Sequence, residues 1–242
     1  MDGLILAAGM ATRLKPLTEN TPKSLLKLND KPILKYIIDN LLQNNVNKII
    51  IVAGFEENKI KDFVKQNYNS QNFVFITNKD YANTNNAYSF LLAHKEIKNE
   101  FILLDSDIIF DKRIISLLLK DKTKGAMLAI KRHNLSEEEI KVVIEKNGKI
   151  KKIGKEVPIT KAFGESIGIE YFPKDYVKPL FDTLKKRIID EKRYNEFYEA
   201  SFQEMINQGY EFYGVDIGNL EAIEIDFKED LDLAEKIIKR IY

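Results

Sequence analysis

Gly3-Leu4-Ile5-Leu6-Ala7-Ala8-Gly9-Met10-Ala11-Thr12-Arg13-Leu14 is the stretch whose reading decides the fold. Its first six residues are apolar or small and uncharged, the pattern of a strand buried on both faces. The run then passes through a glycine to an arginine. Small side chains let a planar base or a phosphate approach the backbone, and free N–H groups in such a loop cradle anions. Further on, Thr21-Pro22-Lys23 adds a second cation after a rigid turn. Two cations near the carboxyl end of one strand suit a polyphosphate, in the crevice where open α/β sheets bind ligands. Neither common phosphate loop fits. G-x-G-x-x-G would need glycine at Ala11 and Leu14, and Lys23-Ser24 follows Pro22, so a nicotinamide dehydrogenase and a P-loop ATPase are disfavoured.

Outward from this unit, strand and helix alternate. Pro32 stands at an expected first helical position, followed by Ile33, Ile37 and Leu41 on one face. Lys48–Ala53 reads as a second buried strand ended by Gly54, with an amphipathic helix around Ile60 and Phe63-Val64. Phe73–Ile76 and Phe101–Leu104 read as strands, with a helix from about Asn85 to His94 between them. Such alternation implies parallel pairing by right-handed crossovers. The expected fold is therefore α/β, with a doubly wound, mostly parallel central sheet. The pattern then changes. Val142–Ile144 and Ile150–Ile153 flank Asn147-Gly148, a strong hairpin signal. Ser166–Phe172 reads as a strand, Tyr176–Ile189 and Tyr198–Asn207 as helices, and Phe212–Val215 and Ala222–Ile225 as short strands. A last helix carries Leu231, Ala234, Ile237 and Ile238 on one face. No linker, low-complexity tract or internal repeat interrupts the chain, so residues 1–242 are expected to form a single domain with an inserted hairpin.

Composition narrows the function. The 242 residues include 38 basic and 37 acidic ones, for a net charge of +1, so nothing favours nonspecific nucleic-acid or anionic-membrane binding. With no cysteine, thiolate metal sites, iron–sulfur clusters, disulfides and thiol nucleophiles are excluded. His94 and His133, the two histidines, are too few for a three-histidine metal site and receive no role. No apolar run approaches the roughly 18 residues of a membrane span, and Leu4–Ala8 is too short for a signal-peptide core. A cytoplasmic address is the expectation.

One pair of acids draws attention as hard oxygen donors. Phe101-Ile102-Leu103-Leu104-Asp105-Ser106-Asp107 places Asp105 and Asp107 at the end of a buried strand, on one side by strand periodicity. Such donors suit Mg²⁺, which keeps waters and bridges substrate phosphates; the plainer alternative is a pair of turn or cap residues. Glu224-Ile225-Asp226-Phe227 precedes the last helix, where Asp226 could also serve as an N-cap.

The stretch LAAGMATRLKPLTENTPKSLLKLNDKPIL, residues 6–34, resembles the signature of the nucleotidyltransferases that activate sugar phosphates and polar head-group phosphates. That pattern runs roughly L-A-A-G-x-G-[ST]-R-[LFM]-x-P-[LM]-T, then P-K-x-[LM], then K-P-[ILM]. Ala11 departs from it, standing where the family commonly has glycine; a positive φ there would add about 1 kcal/mol of strain. The resemblance is strong over about the first 110 residues and weaker afterwards. It implies that Arg13 and Lys23 contact the nucleotide phosphates, that the Leu6-Ala7-Ala8-Gly9 backbone approaches the base, and that Asp107 and Asp226 hold Mg²⁺, with Asp105 in support. The segment Asn78–Ser89, Asn-rich and bearing Tyr88-Ser89, resembles the choline-phosphate cytidylyltransferase branch, which also resembles enzymes acting on aminoethylphosphonate and inositol phosphate. Asn83 and Thr84 are the expected base-reading residues, against the alternative of a turn and helix cap. Glu165 and Tyr198-Glu199 are the expected acceptor contacts, Tyr198 offering an aromatic face and Glu199 a carboxylate to a cationic head group; an exposed helical glutamate is the alternative for Glu199.

The resulting expectation is a Mg²⁺-dependent enzyme that transfers CMP from CTP to a small phosphate or phosphonate acceptor, phosphocholine-like, and releases pyrophosphate. Its partners would be CTP or another NTP and a small phosphorylated acceptor; a homodimer is compatible. The rival enzyme is a hexose-1-phosphate nucleotidyltransferase using dTTP, UTP or GTP. A noncatalytic nucleotide-binding subunit is the rival from another class, disfavoured because Lys23, Asp107 and Asp226 are all present.

Overall fold

The computed structural model describes residues 1–69 and 72–242. Its strands are β1 (Asp2–Ala7), β2 (Lys27–Leu28), β3 (Lys31–Pro32), β4 (Lys48–Ala53), β5 (Phe73–Thr77), β6 (Phe101–Asp105), β7 (Ile108–Phe110), β8 (Ala126–Lys131), β9 (Lys141–Ile144), β10 (Ile150–Gly154), β11 (Gly164–Phe172), β12 (Phe212–Asp216) and β13 (Ala222–Glu224). The helices are α1 (Ile33–Gln43), α2 (Glu57–Asn67), α3 (Asn86–Leu92), α4 (Arg113–Leu119), α5 (Lys174–Lys185), α6 (Glu199–Asn207) and α7 (Lys228–Ile241). None of the described helices is long and apolar enough to cross a membrane.

The main sheet runs β10-β9-β11-β6-β1-β4-β5, with β8 joining β11 to β12. β1 sits between β6 and β4, parallel to both, and β5 extends the parallel set. Strand periodicity divides the core into two layers. Ile5, Ile51 and Leu104 face a layer with Ile37 of α1, Ile114 of α4 and Ile237 of α7. Leu4, Ile50 and Leu103 face the opposite layer with Phe90 of α3, Leu180 of α5 and Phe202 of α6. Helices on both faces explain why these strands read as unbroken apolar runs.

The second half is antiparallel around β11, which pairs with β6, β8 and β9. Its register against β8 shifts between Ser166 and Glu170, and within that bulge Gly168 takes φ 67°. A Cβ at Gly168 would lie 2.6 Å from Oδ2 of Asp105, so glycine is required by both conformation and space.

Several boundaries differ from the sequence expectation. Pro32 is extended, pairs with Lys27 and caps α1 from outside, so the helix begins at Ile33. α5 ends at Lys185 and continues as a π turn over Lys186–Asp190. β8 was not anticipated, because Ala-Met-Leu-Ala favours helix locally; pairing with β11 and β12 overrides that preference.

Ala11 adopts φ 46° and ψ 53°, the left-handed conformation. The strained turn is held by the buried Thr18, whose hydroxyl donates to the Ala11 carbonyl at 2.7 Å. Glycine would relieve the Cβ clash at some cost in unfolded-chain entropy. Ala11→Gly is therefore expected to raise unfolding stability by about 0.5–1 kcal/mol, measured by urea denaturation; a loss of stability would show that the Ala11 methyl contributes packing that outweighs the strain.

Candidate active site

β1 ends under a cavity of ≈ 260 Å³ whose lining includes Leu6, Ala7, Ala8 and Gly9. A Cβ at Gly9 would meet no atom within 4 Å, so glycine keeps this wall open toward the cavity. The N–H groups of Gly9, Met10 and Ala11 donate to no other described residue. They are available to an anion.

Lys23 stands at the mouth of this cavity, following Pro22 in a short 3₁₀ turn. Its ammonium donates to Asp107 Oδ2 at 2.9 Å and to Asp226 Oδ1 at 2.7 Å. Burial works against its charge, but the two carboxylates outweigh it and hold the ammonium above its ordinary range. The acids come from distant parts of the chain. β6 stops at Asp105, the chain turns through Ser106-Asp107, and β7 pairs antiparallel with β13. The Ile225 N–H donates to the Asp107 carbonyl at 3.0 Å, which fixes Asp226 beside Asp107. Asp226 does not cap α7. Phe227 occupies the cap position, and the Asp230 carboxylate accepts both the Asp226 and Phe227 N–H groups, which leaves the Asp226 side chain free for the site.

Glu224 joins Asp107 and Asp226, with one carboxylate oxygen of each lying within 4.8 Å of the others. Desolvation of its carboxyl among neighbouring side chains and the like charges of Asp107 and Asp226 push the Glu224 pKa up to about 9, although the residue as a whole is exposed. Oδ1 of Asp107 is buried without a hydrogen-bond partner among the described residues. Three hard oxygen donors, one of them unpartnered, fit a divalent cation of the Mg²⁺ type. Sequence reading missed Glu224, whose only signal was its period-two spacing to Asp226.

Arg13 lies at the outer edge, with Nη1 3.4 Å from Asp226 Oδ2 and its guanidinium over the Phe227 ring at 5.5 Å. Across Lys23 a second cavity of ≈ 600 Å³ opens, lined among others by Arg13, Glu165, Ser166, Gly168 and Phe197. Glu165 lies on this wall and hydrogen-bonds His133 at 2.7 Å, so His133, given no role from sequence, orients a cleft residue.

The aromatic expectation for Tyr198 is corrected. Its ring is fully buried between Phe90 and Phe202 and offers no face to a ligand. Its hydroxyl instead donates to Asp105 Oδ2 at 2.8 Å. The exposed aromatic is its neighbour Phe197, which lines both cavities. Asp105 thus turns one oxygen to the buried Tyr198, at the floor of the two cavities it lines. Burial and the charge of Asp107 push the Asp105 pKa up to about 7, against the Tyr198 bond and Lys23. Glu199 is buried rather than an exposed helical glutamate.

The base-reading expectation is also revised in part. Asn83 is exposed and lies off the cavity wall. Thr84 lines the cavity, its hydroxyl donating to the Asp80 carbonyl at 2.8 Å. Asn85 caps α3 through the Asn86 N–H. The loop is organised by Asn78, buried, which donates to Thr84 and Ser89 and accepts from the Asp80 N–H. Asn78 followed the third strand in the quoted segment, but its type alone did not separate it from Asn83.

A protein-family model described as "Nucleotidyl transferase" matches residues 2–232. The chain belongs to that family. Among relatives of this nucleotidyl transferase, the choline-phosphate cytidylyltransferase of Streptococcus pneumoniae is 27% identical over 242 residues, covering 99% of each chain. The CTP:phosphoglutamine cytidylyltransferase of Campylobacter jejuni is 28% identical over 93% of each chain. The bifunctional protein GlmU of Methanococcus vannielii is 39% identical over 125 residues, so the match spans only 29% of that relative. The solved CTP:phosphocholine cytidylyltransferase of Streptococcus pneumoniae superposes with a TM-score of 0.81 at 25% identity, over 98% of each chain. The inositol-1-phosphate CTP transferase of T. maritima shares the fold, with a TM-score of 0.83 at 20% identity, over 100% of this chain and 97% of the other.

The acids of the floor predict an unusual stability profile. Burial, then the charge of Asp105, pushes the Glu199 pKa up to about 8, and burial raises Glu170 well above the glutamate range. A carboxyl with a raised folded pKa binds more protons in the folded than in the unfolded protein, so stability falls as pH rises toward that pKa. The thermal midpoint of this nucleotidyl transferase is expected to be lower near pH 8.5 than near pH 6, with a shallower decline in Glu199→Gln. A midpoint that rises across this window contradicts the assignment.

Proposed function

We propose that the chain transfers CMP from CTP to a small phosphate or phosphonate acceptor and releases pyrophosphate, with residues 1–242 working as one domain in the cytoplasm. The observation that carries this reading is Lys23 seated between Asp107 and Asp226 at the junction of two cavities. The names of the relatives that match nearly the whole chain support CTP as the nucleotide.

In this reading an acceptor oxygen attacks the α-phosphorus of CTP. One P–O bond forms, the bond to the bridging oxygen of the β-phosphate breaks, and pyrophosphate carries away the electron pair. The acceptor is already anionic, so no strong base and no protein nucleophile is needed. The difficulty is bringing two anions together, which makes positioning and charge neutralisation the main contributions. The loop at Gly9–Ala11 offers N–H groups to the phosphates, and Lys23 and Arg13 offer cations. Asp107, Glu224 and Asp226 would hold Mg²⁺, which when bound supplies positive charge to phosphate oxygens. Thr84 and the loop organised by Asn78 line the base side, and Glu165 and Glu199 the acceptor side.

Nucleotide choice tests the reading. In a pyrophosphate-release panel with added Mg²⁺, CTP is expected to exceed UTP and dTTP in kcat/KM by at least about tenfold. Equal use of dTTP would favour the hexose-1-phosphate reading instead. Lys23 tests the mechanism, because repulsion between the two anions grows toward the transition state. Lys23→Ala is expected to lower kcat by about a hundredfold or more while CTP affinity falls less. Steady-state kinetics, direct CTP binding and a thermal melt on the same variant separate these effects; an unchanged kcat with a raised KM for CTP would reduce Lys23 to a nucleotide-binding role.

A further inference from the structure

The cavity beyond Lys23 is lined by residues carrying two polar atoms that nothing among the described residues satisfies. Glu199 is 5% exposed and Ser166 6% exposed, and both line this cavity. Among the described residues, Glu199 Oε2 and Ser166 Oγ each lack a hydrogen-bond partner. Buried polar groups of folded proteins are ordinarily paired, so two such atoms in residues lining one cavity ask for a ligand. Glu199 opens α6 and Ser166 lies in the bulged part of β11, so both sit on regular elements rather than on a free loop.

Charge narrows the ligand. Around this cavity carboxylate residues outnumber cationic ones eight to three. Lys23 is engaged with Asp107 and Asp226. Arg13 leans on Asp226 and Phe227. Lys155 lies 3.5 Å from Glu138 and over the Phe197 ring at 4.7 Å. No cation among the described residues forms an ion pair with Glu199, which is buried beside the acid Asp105. A quaternary ammonium would bring charge but no N–H to donate. A neutral polyol would donate but bring no charge to a cavity lined mostly by acids. A primary ammonium does both, and Phe197 supplies an apolar wall for the short chain that carries it.

We propose that the non-reacting end of the acceptor is a primary ammonium received by Glu199 and Ser166 beside Phe197, so that Glu199 selects aminoalkyl phosphates or phosphonates over trimethylated or uncharged ones. This rests on the reading of the cleft as the site of CMP transfer.

The test uses the full chain with CTP and Mg²⁺ and three acceptors: phosphoethanolamine, phosphocholine and glycerol 3-phosphate. Phosphoethanolamine is expected to exceed each of the others in kcat/KM by at least about tenfold, because the others leave a buried acceptor atom unpaired or a charge unmatched. Glu199→Gln should shrink that ratio to within about threefold, with the loss in KM rather than kcat, as expected for an interaction shared by ground and transition states. Ser166→Ala gives a second, milder reduction, and a thermal melt confirms that both variants are folded. Phosphocholine or glycerol 3-phosphate used as well as phosphoethanolamine overturns the proposal while leaving CMP transfer standing. So does an unchanged preference in Glu199→Gln. Absence of CTP binding, together with absence of pyrophosphate release from every acceptor, overturns both.

Discussion

The site depends on an ammonium held between carboxylates drawn from two remote parts of the chain. Asp107, Glu224 and Asp226 bring oxygens within 4.8 Å of one another. Like charges about 4 Å apart repel by roughly 4 kcal/mol at a surface-like effective dielectric. Lys23 offsets this by meeting two of the three at once. The backbone makes the meeting possible. β1 delivers the loop that leads to Lys23, β6 delivers Asp107, and the β7–β13 pair brings Asp226 alongside. Each of these elements would fold for its own reasons, since their apolar residues fill the core. The charges then occupy the end of the sheet, where strands stop and backbone groups are free.

Beneath this charged layer lies a second one that is protonated more readily. Asp105, Glu170 and Glu199 are acids whose pKa values burial raises, grouped around the Tyr198 hydroxyl. A core built for stability alone would place apolar residues there, because buried carboxyls without full hydrogen bonding cost free energy. The strain at Ala11 belongs to the same pattern: a left-handed alanine is kept in the lining of the cavity above β1. Local conformational and polar costs cluster around the cleft and are absorbed by the two apolar layers of the sheet.

The parallel half of the fold was legible because its signals are local. Lys48–Ala53 and Phe101–Leu104 are uninterrupted apolar runs, and the motif around Gly9, Arg13 and Lys23 is nearly contiguous. What escaped depended on tertiary pairing. Ala126–Lys131 carries helix-forming residues and becomes a strand only because β11 and β12 flank it. Glu224 gains its importance from the register of β13 against β7, which no local pattern encodes. At Tyr198-Glu199 the segment does border the second cavity, but not through the ring expected. Where a helix begins decides which ring turns inward, and here Tyr198 goes to the core while Phe197 stays at the cleft. Asn78 and Asn83 show the same limit, since side-chain chemistry is identical and only burial separates them.

The pairing of β13 with β7 also bears on how the molecule comes into being. The Lys23–Asp226 bond joins positions 203 residues apart, near the maximum that the chain permits. During synthesis the parallel strands and their helices emerge early and can pack from largely sequential contacts, whereas the closing pair waits for the final segment. Long-range closures of this kind come late in folding because the entropy of the intervening chain must be lost before the contact contributes. A nascent chain can therefore own most of its core and still lack a competent charge cluster. Ligand binding at the cluster would report on completed folding rather than on folding in general, and nucleotide would stabilise only the finished molecule.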